Sequence, residues 1–309
     1  MSKVTIMVGL SGSGKSAVAN VLSEKSNSVI LSSDNLRQEL YNDVNDQEHN
    51  AEVFTELNRR LKKLLEEDRN VIVDATNLTI KSRKNLLDTI KSAKNKNITV
   101  IAHIMTKPIE DCISDDSQRT RKVGSEVILK QAGKFQIPFL EEGFDEVIIH
   151  KFNNRKFITQ SVFEDICYGM QGFDQKNHHH KYDLFDHSML CYKTLISKIK
   201  DKMVCPPLVV ASLLHDIGKM STQKIKEDGN ATYYSHENIG TYQLLDILRF
   251  YGDISNTLDT LFYINYHMLP FEWKTEKTNE KYKTLFGEEK YNYLKLLHEC
   301  DKIACGMEE

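Results

Sequence analysis

The fold of the first half is decided by the stretch Val4-Thr-Ile-Met-Val8 followed by Gly9-Leu-Ser-Gly-Ser-Gly-Lys-Ser16. The first five residues are apolar or β-branched, which predicts a short buried strand. The next eight fit the pattern G-x-x-x-x-G-K-[ST], and a helical pattern begins at Ser16. In this order, successive backbone N–H groups and the helix N-terminus favour a bound phosphate. The sequence therefore predicts a binding site for a nucleoside triphosphate.

Two side chains of this loop are expected to contact the nucleotide and its metal ion directly. Lys15 would reach the β- and γ-phosphate oxygens of ATP, and the Ser16 hydroxyl would bind Mg²⁺. The alternative is a glycine-rich turn without a ligand, which leaves the strand before the loop and the helix after it unexplained. The residues expected to bind the nucleotide are Gly9, Gly12, Ser13, Gly14, Lys15 and Ser16.

Apolar runs and helical periods alternate as far as residue 155, and helical periods alone follow. Five short apolar runs with helices between them are typical of a parallel sheet covered by helices. We therefore expect an α/β domain over residues 1–155 and an all-α domain over 156–309, with the boundary in the polar stretch 151–160. The predicted strands are Val4–Val8, Val29–Leu31, Asn70–Asp74, Ile98–Ile104 and Glu146–His150. The longer predicted helices include 108–134, 208–219 and 280–305.

Polar residues follow the second and third predicted strands, at the edge of an open α/β sheet where ligands bind. Asp34 could take a proton from an attacking hydroxyl group, or it could simply cap the following helix. Arg37, three residues later, would lie on the same helix face and hold a phosphate. Asp74 could hold a metal ion through water or position a substrate, and the alternative is a turn-forming residue. Thr76 and Asn77 are expected to bind substrate beside Asp74.

A basic cluster, Gln118-Arg-Thr-Arg-Lys122, lies within the long helical segment 108–134. Phosphoryl transfer spreads negative charge over the γ-phosphate oxygens, and a lid arginine stabilises that charge. As a lone run of charge, the cluster would be a solvated helix face. We expect Arg119 and Arg121 to act in catalysis.

Together these stretches resemble the kinase module of polynucleotide kinase-phosphatases, within the broader family of P-loop kinases. The resemblance implies that Asp34 is the general base on a polynucleotide 5′-hydroxyl and that Arg37 contacts the phosphate of the acceptor. The matching stretches are GLSGSGKS (9–16), SSDNLRQ (32–38), VIVDATNLT (71–79) and CISDDSQRTRKVGSEVI (112–128).

The last of these stretches is where the chain departs from that family. The resemblance implies that Arg119 and Arg121 engage the phosphates of ATP. However, Asp115 and Asp116 stand where relatives often carry Arg and Asn, and Gly124 replaces a common proline. We therefore expect the lid contacts to differ from those of the family.

The second half contains histidine and aspartate residues on several different predicted helices. A dinuclear metal site needs about six protein ligands, and an adjacent His–Asp pair can serve two neighbouring ions, with the aspartate as a bridge. A single histidine of this kind is commonly a satisfied core residue, whereas the joint set favours a metal site. Imidazole-rich sites suit Mn, Fe, Ni, Co or Zn better than Ca. The expected ligands are His187, His215, Asp216, His236, His267 and Asp301.

This half resembles the HD superfamily of metal-dependent phosphohydrolases. The resemblance implies an all-helical domain in which one metal ion is bound by His187, His215, Asp216 and Asp301. Members that also carry residues like His236 and His267 hold a second ion. It implies a catalytic role for Asp216 in the hydrolysis of phosphate esters. The matching stretches are HHHKYDLFDHSML (178–190), LLHDIGK (213–219), SHENIG (235–240), YHM (266–268) and CDKIA (300–304).

Part of this half looks like the HD domains appended to some tRNA nucleotidyltransferases, which hydrolyse 2′,3′-cyclic phosphates. The segment concerned is Gln175–Asp183. His180 and Lys219 are the expected contacts to the substrate phosphate, and the alternative for Lys219 is an exposed lysine after a turn. Asp183 precedes His187 by four residues and is expected to orient the His187 ring without binding the metal ion itself.

Composition sets limits on the function. The formal net charge is −3, so contact with a nucleic acid must be confined to a local groove. No apolar run approaches the length of a membrane helix, and no signal-peptide core follows Met1, so no membrane contact is expected. The six cysteines form no CxxC pair, which is typical of reduced thiols in a cytoplasmic protein.

One predicted domain adds a phosphate to a hydroxyl group and the other removes phosphate from an ester. On a single small molecule these reactions would cancel, but on the two ends of a broken RNA strand they would not. The sequence therefore favours an enzyme that phosphorylates 5′-OH ends and removes 2′,3′-cyclic phosphate or a 2′/3′-phosphate, upstream of a separate ligase. Two alternatives stay open: a small-molecule nucleoside or nucleotide kinase fused to an HD nucleotidase, and a nucleotide-gated sensor.

Overall fold

The computed structural model describes residues 2–94, 97–150, 160–176, 182–199, 205–248 and 254–306. The chain divides into two compact units, and each is described by itself. The sheet unit comprises Met1–Gln131 and Pro138–Phe152. The helical unit comprises Ala132–Ile137 and Asn153–Glu309. The predicted boundary at residue 155 lies outside the described residues and stays a prediction.

The sheet unit alternates strands and helices, as predicted. Its strands are β1 (Ser2–Val8), β2 (Val29–Ser32), β3 (Val71–Asp74), β4 (Ile98–Met105) and β5 (Glu146–His150). Its helices are α1 (Lys15–Ser26), α2 (Ser33–Tyr41), α3 (Asn50–Glu66), α4 (Ile80–Lys91), α5 (Ile109–Gln118) and α6 (Ser125–Ala132), whose last residue belongs to the other unit. A 3₁₀ turn covers Leu140–Glu142.

The five strands form one parallel sheet in the order β2-β3-β1-β4-β5. Val4 at the centre pairs with Val71 on one side and with Val100 on the other. Both neighbours of β1 are parallel strands, and Val4, Ile6 and Val8 are fully buried. This burial explains the uninterrupted apolar run in the sequence, because a parallel sheet is covered by helices on both faces.

The helical unit confirms the all-α prediction for the second half. Its helices are α7 (Gln160–Met170), α8 (Leu184–Lys198), α9 (Pro206–Leu214), α10 (Lys219–Thr222), α11 (His236–Leu248), α12 (Ile254–Tyr266), α13 (Glu276–Phe286) and α14 (Glu288–Ala304). A two-stranded antiparallel ribbon joins β6 (Lys224–Ile225) to β7 (Ala231–Thr232), and a 3₁₀ turn covers Leu269–Glu272. Helix α8 packs on α9 and α14, and α12 packs on α9 and α11. Among the described helices, none is both long and apolar enough to cross a bilayer.

Three of the predicted long helices are interrupted. The segment 108–134 breaks into α5 and α6 at residues 119–124, and 208–219 breaks after Leu214. The segment 280–305 breaks at Gly287, whose φ of 78° suits glycine and ends α13. The first two breaks matter for the candidate sites. The first places Arg119 and Arg121 between helices, and the second does the same for His215 and Asp216.

A short segment that begins with the last residue of α6 packs in the helical unit, and we call it the strap (Ala132–Ile137). Its main chain is held by two side chains of α12. Asn265 accepts a hydrogen bond from the Ile137 N–H at 2.7 Å and donates to the Phe135 carbonyl at 3.2 Å. The Tyr266 hydroxyl donates to the Ile137 carbonyl at 2.9 Å. Nothing in the periodicity of the sequence indicates this placement.

Candidate active sites

The first site lies at the carboxyl edge of the sheet, where three neighbouring strands end. The phosphate loop follows β1, Asp34 lies in the first turn of the helix after β2, and Asp74 is the last residue of β3. Parallel strands bring their carboxyl ends to one edge, which is the usual ligand position in such sheets. A cavity of about 730 Å³ lies there, lined by residues of the loop, by both carboxylates and by the basic residues after α5.

The phosphate loop needs its glycines for two different reasons. Gly12 has a φ of +84°, and a Cβ there would lie 2.2 Å from the Cys112 carbonyl oxygen, so no other residue fits. Gly14 has open space around it but a φ of +88°, which turns the chain into α1. These positions agree with the motif and leave the N–H groups at the start of α1 directed at the cavity.

Lys15 and Ser16 are the first two residues of α1. Lys15 is buried and its Nζ donates to the Leu10 carbonyl at 2.8 Å. Burial lowers the pKa of Lys15 to about 8, and Asp74 opposes part of that shift. The Ser16 Oγ donates to Asp74 Oδ2 at 2.7 Å. A hydroxyl and a carboxylate side by side at a phosphate loop are the groups that hold Mg²⁺ in P-loop enzymes, which favours the metal role of Asp74 over a turn role.

Asp34 is held between two arginines at the cavity. Its Oδ1 accepts from Arg37 Nη1 at 2.9 Å, and its Oδ2 pairs with Arg121 Nη1. The N-cap of α2 is Ser32, whose side chain accepts from the Asn35 N–H. Capping is therefore not the role of Asp34, and its carboxylate, with half of its surface exposed, faces the cavity.

The remaining predicted residues of this unit divide into two groups. Thr76 and Arg119 line the cavity, and the Thr76 carbonyl also accepts from the Gly9 N–H at 3.1 Å. Asn77 lies away from the lining: it is buried, and its side-chain amide donates to the Met7 carbonyl at 2.8 Å. Asn77 thus supports the end of β1, and a substrate contact from this residue stays a prediction.

Sequence reasoning missed three amide side chains around this cavity. Gln131 of α6 accepts from the Ser11 N–H at 2.8 Å and donates to the Ser11 hydroxyl at 3.0 Å. Asn50 accepts from Arg37 Nη2 at 2.6 Å, and Asn45 accepts from Arg121 Nε at 3.0 Å. The two asparagines orient the predicted arginines. No local pattern marks amides of this kind, because their partners are distant in the sequence or lie in a loop.

The second site lies in the helical unit, where five elements each contribute ligands. His187 lies on α8, the pair His215-Asp216 follows α9, and Asp301 lies on α14. All four are buried, and their ligand atoms lie within 4.8 Å of one another. His236 begins α11 and His267 follows α12, and these two form a second such group with Asp216.

Asp216 is shared by both groups, through different oxygens. Its Oδ2 lies 3.2 Å from His187 Nε2 and 3.4 Å from His215 Nε2. Its Oδ1 lies 3.0 Å from His236 Nε2 and 3.6 Å from His267 Nε2. This is the arrangement of a carboxylate that bridges two ions, as the sequence predicts for a dinuclear site.

The spacing of these atoms fits divalent transition metals. Ligands about 2.1 Å from a common ion lie about 3.0 Å apart in an octahedral arrangement and about 3.4 Å in a tetrahedral one. The His187 and His215 Nε2 atoms are 3.3 Å apart, as are those of His236 and His267. Asp301 Oδ1 lies 3.1 Å from His187 Nε2. The residues present therefore fit two neighbouring ions.

Main-chain carbonyls orient three of the histidines. The Nδ1 atoms of His215, His236 and His267 lie 3.1, 2.9 and 2.7 Å from the carbonyls of the residues three positions earlier in the chain. An Nδ1–H that donates to a carbonyl leaves Nε2 with its lone pair for a metal ion. Gly218 allows this packing, because a Cβ there would lie 2.0 Å from the His236 carbonyl oxygen.

The charges of the second site compensate one another. Burial opposes the charged form of each group, but Lys219 and His215 hold the pKa of Asp216 well below its usual value. Against the same burial, Asp216 and Asp301 raise the pKa of His215 to about 10. Protons thus balance the carboxylates here, and metal ions would replace them, because metal ligands bind in their deprotonated form.

Lys219 lies beside the metal ligands and is buried, so it is not the exposed lysine of the alternative interpretation. Its Nζ lies 2.7 Å from Asp216 Oδ2 and donates to Gln175 Oε1 at 2.9 Å. Asp183 is the N-cap of α8 rather than a partner of the His187 ring, because its side chain accepts from the Asp186 N–H. His180 lies outside the described residues and its role stays a prediction.

Family models match two consecutive parts of the chain. Residues 4–138 match the family model described as an AAA domain, and residues 185–305 match that of the HD domain. The chain is therefore a P-loop kinase-type AAA domain followed by an HD domain. Comparison with curated proteins gives no match.

Similarity to solved structures is weak. A chain of the Pnkp1/Rnl/Hen1 RNA repair complex is 22% identical with a TM-score of 0.38, and the match covers 43% of each chain. This protein thus spans less than half the length of that relative. A kinase-like protein of Chloroflexus aurantiacus is 14% identical over 55% of this chain and 96% of that one, with a TM-score of 0.38. The APS kinase of Mycobacterium tuberculosis is 21% identical over 53% and 95%, with a TM-score of 0.37.

Proposed function

We propose that this protein is a cytoplasmic enzyme that heals both ends of a broken RNA strand. The AAA domain would use Mg²⁺-ATP to phosphorylate a 5′-hydroxyl end. The HD domain would hydrolyse a 2′,3′-cyclic phosphate, or a 2′- or 3′-phosphate, at the other end. The observation that carries the proposal is that one chain has a phosphate loop facing an acid–arginine pair and, in its other unit, a buried His–Asp cluster with the spacing of two metal ions.

In the kinase reaction, the 5′-oxygen attacks the γ-phosphorus of ATP, the bond to the β-phosphate bridging oxygen breaks, and ADP leaves. Asp34 would accept the proton of the attacking hydroxyl, a role that is supported by its position in the lining of the same cavity as the phosphate loop. Arg37 is buried and held by Asp34 and Asn50, so its guanidinium is preorganised for the acceptor phosphate. Lys15 would neutralise charge on the β- and γ-phosphates.

In the hydrolytic reaction, the protein provides the ligands and an adjacent cation. His187, His215, Asp216 and Asp301 would hold one ion, and His236 and His267 would hold a second with Asp216. Bound divalent ions supply Lewis-acid activation of water and of the phosphate ester. Lys219, whose Nζ is adjacent to Asp216, would bind a phosphate oxygen of the substrate. The products would be a ring-opened monoester, or inorganic phosphate and a free hydroxyl group.

The combination favours RNA as the substrate. Cleavage of RNA without metal ions leaves a 5′-hydroxyl and a 2′,3′-cyclic phosphate, whereas a ligase of the common type needs a 5′-phosphate and a 3′-hydroxyl. A kinase and a phosphohydrolase acting on one small molecule would undo each other's work. Acting on the two ends of a break, they would prepare both for a separate ligase.

The test is to incubate the full chain with an RNA that carries a 5′-hydroxyl and a 2′,3′-cyclic phosphate, and to map both termini. We expect ATP-dependent 5′-phosphorylation and ATP-independent loss of the cyclic phosphate. Asp34→Ala should abolish the first reaction and leave the second, whereas Asp88→Ala, an exposed carboxylate on α4, should change neither. Equal phosphorylation of a free nucleoside would instead indicate the small-molecule kinase. Nucleotide binding without any transfer of phosphate would indicate the sensor.

A further inference from the structure

The loop between α5 and α6, which we call the lid loop (Arg119–Gly124), is held at both ends by one residue. Asp116, in the last turn of α5, is buried with 3% of its surface exposed. Its carboxylate accepts from the Val123 N–H at 3.0 Å and from the Gly124 N–H at 2.9 Å, both to Oδ2. Its carbonyl accepts from the Arg119 N–H at 3.2 Å, where the helix ends.

The conformation of the lid loop depends on both Asp116 and Gly124. Gly124 has a φ of +89°, a conformation that favours glycine and that is incompatible with the fixed φ of proline. Proline would also remove the N–H that Asp116 accepts. Hydrogen bonds to a carboxylate are stronger than those to a neutral acceptor, which suits a loop that has no regular secondary structure of its own. Asp116 and Gly124 therefore act as a pair.

The lid loop carries the basic side chains of the cavity. Arg119 and Arg121 line it together with Asp116. Arg121 pairs with Asp34, and Arg119 contributes to the lowered pKa of Lys15. Two cations of the loop thus reach the immediate surroundings of the predicted base and of the phosphate-loop lysine.

From these contacts we infer that Asp116 is a positioning residue for phosphoryl transfer, which sets Arg119 and Arg121 against the terminal phosphate of ATP. The inference rests on the proposed function only for the assumption that the two arginines bind the γ-phosphate of ATP. It adds a residue that acts on the two arginines through the backbone of the lid loop.

The test compares the affinities of the full chain for ATP and ADP, by displacement of a fluorescent nucleotide in the presence of Mg²⁺. ADP lacks the γ-phosphate, so misplaced arginines should lower the preference for ATP. We expect Asp116→Ala to reduce this preference several-fold and to lower kcat for transfer to a 5′-hydroxyl oligonucleotide by about tenfold to a hundredfold. Asp116→Asn, which keeps one acceptor oxygen, should lose less.

Asp115→Asn is the matched control. Asp115 precedes Asp116 on the same helix, but it is half-exposed and pairs with Lys107 rather than with the loop. We expect this variant to keep the preference of the wild type for ATP. Thermal melting of the sheet unit, identified as the transition that ATP raises, reports whether each variant is folded, and Asp116→Asn is used if Asp116→Ala is not.

Three results would overturn the inference. The first is an unchanged ATP preference in folded Asp116→Ala. The second is tighter ATP binding by Asp116→Asn, which would mean that Asp116 acts by charge repulsion alone. The third is a further loss of equal size when Asp116→Ala is added to the double variant Arg119→Ala/Arg121→Ala, because a residue that works through these arginines has no effect without them. If the wild type transfers no phosphate to the oligonucleotide but the preference for ATP still falls, the inference stands and the proposed kinase substrate is wrong.

Discussion

The two candidate active sites of this chain hold their charged groups in different ways. At the sheet edge, charges line a cavity of about 730 Å³, and Asp34 keeps half of its surface exposed. In the helical unit, carboxylates and imidazoles are buried against one another at 3.0–3.6 Å. The first arrangement leaves room for a triphosphate and its acceptor, whereas the second has the dimensions of metal coordination.

Two lysines show the same contrast in their ionisation. Lys15 and Lys219 are both buried, and burial alone lowers the pKa of a lysine. The pKa of Lys15 does fall, to about 8, because its Nζ has a neutral carbonyl as hydrogen-bond partner and only a partial contribution from Asp74. The pKa of Lys219 rises despite burial, because Asp216 lies 2.7 Å away. Within the part of the chain that the structure describes, Lys15 therefore has no close counter-charge of its own, whereas Lys219 has one in Asp216.

The largest effect is expected when the carboxylate that both ligand groups share is removed. We expect Asp216→Asn to lose both metal ions and to lower hydrolysis of a cyclic phosphate by about three orders of magnitude, because both ligand groups share this side chain. Elemental analysis of the purified protein and a hydrolysis assay measure the two effects. Kinase activity in the same variant should stay at the level of the wild type.

His236→Ala is the matched variant for the second ion alone. His236 lies beside Oδ1 of Asp216 and is not a member of the group around His187 and His215, so that group keeps its ligands. We expect this variant to lose one equivalent of metal and to keep the other. If Asp216→Asn still binds two equivalents, the shared-ligand interpretation is wrong.

The second prediction concerns the pH dependence of ATP binding. In the free protein Lys15 loses its proton at a pH of about 8, and the triphosphate binds the protonated form. ATP affinity should therefore fall as the pH rises above about 8, by at most about tenfold per pH unit. Titrations of a fluorescent ATP analogue between pH 6.5 and 9.5 measure this slope.

Lys15→Arg tests the assignment of that slope. Arginine stays charged over the whole range, so binding by the variant should be weaker but nearly independent of pH. An equal slope in wild type and variant would assign the effect to another group. Lys219 would give no such pH dependence, because Asp216 raises its pKa despite burial.

The contrast also separates what the sequence could and could not predict. The phosphate loop was predictable because its residues are contiguous and their spacing is fixed by the backbone. The grouping of the candidate metal ligands was predictable by residue type, although they come from five elements. The Gln175 contact to Lys219 and the Gln131 contact to Ser11 join residues 44 and 120 positions apart, and periodicity contains no signal for them.

Helix interruptions were missed for a related reason. The lid loop breaks a continuous helical period, and only the bonds from Asp116 to Val123 and Gly124 show why the chain stops there. Gly287 did carry a signal, because a glycine between two helical runs is a common helix end. The strap gave none, since its apolar residues fit a helical unit as well as a sheet unit.

The third prediction concerns the strap. Asn265 is buried, and its side chain bonds the Ile137 N–H, the Phe135 carbonyl and Asn238 Oδ1. Asn265→Ala leaves buried main-chain groups without these bonds, so we expect a loss of about 1–3 kcal/mol in the stability of the helical unit. Differential scanning calorimetry measures the loss as a lower melting temperature.

Asn265 lies two residues before His267, which extends the prediction to the metal site. The second ion should be lost from Asn265→Ala at a lower chelator concentration than from the wild type, while the first is unaffected. Asn292→Ala, an exposed asparagine on α14, should change neither property. Unchanged melting in Asn265→Ala would show that the strap does not stabilise this unit.

The smallest expected effect concerns the buried histidines, which differ between the two units. In the sheet unit, His103 Nδ1 lies 2.5 Å from His150 Nε2, with no carboxylate in this contact. Burial, with help from His150, lowers the pKa of His103 to about 4, whereas carboxylates raise that of His215 to about 10. A histidine whose folded pKa is depressed gives stability that is complete above about pH 6.5 and is lost as the pH falls towards 4.

We therefore expect the sheet unit to lose stability as the pH falls from 6.5 to 4, and His103→Gln to reduce that loss. The transition of this unit is identified in calorimetry as the one that ATP raises, because a ligand stabilises the unit that binds it. His49→Gln is the control, since Asp46 raises the pKa of this partly exposed histidine and its contribution has the opposite sign. An identical pH dependence in His103→Gln and wild type would mean that the buried pair does not titrate in this range.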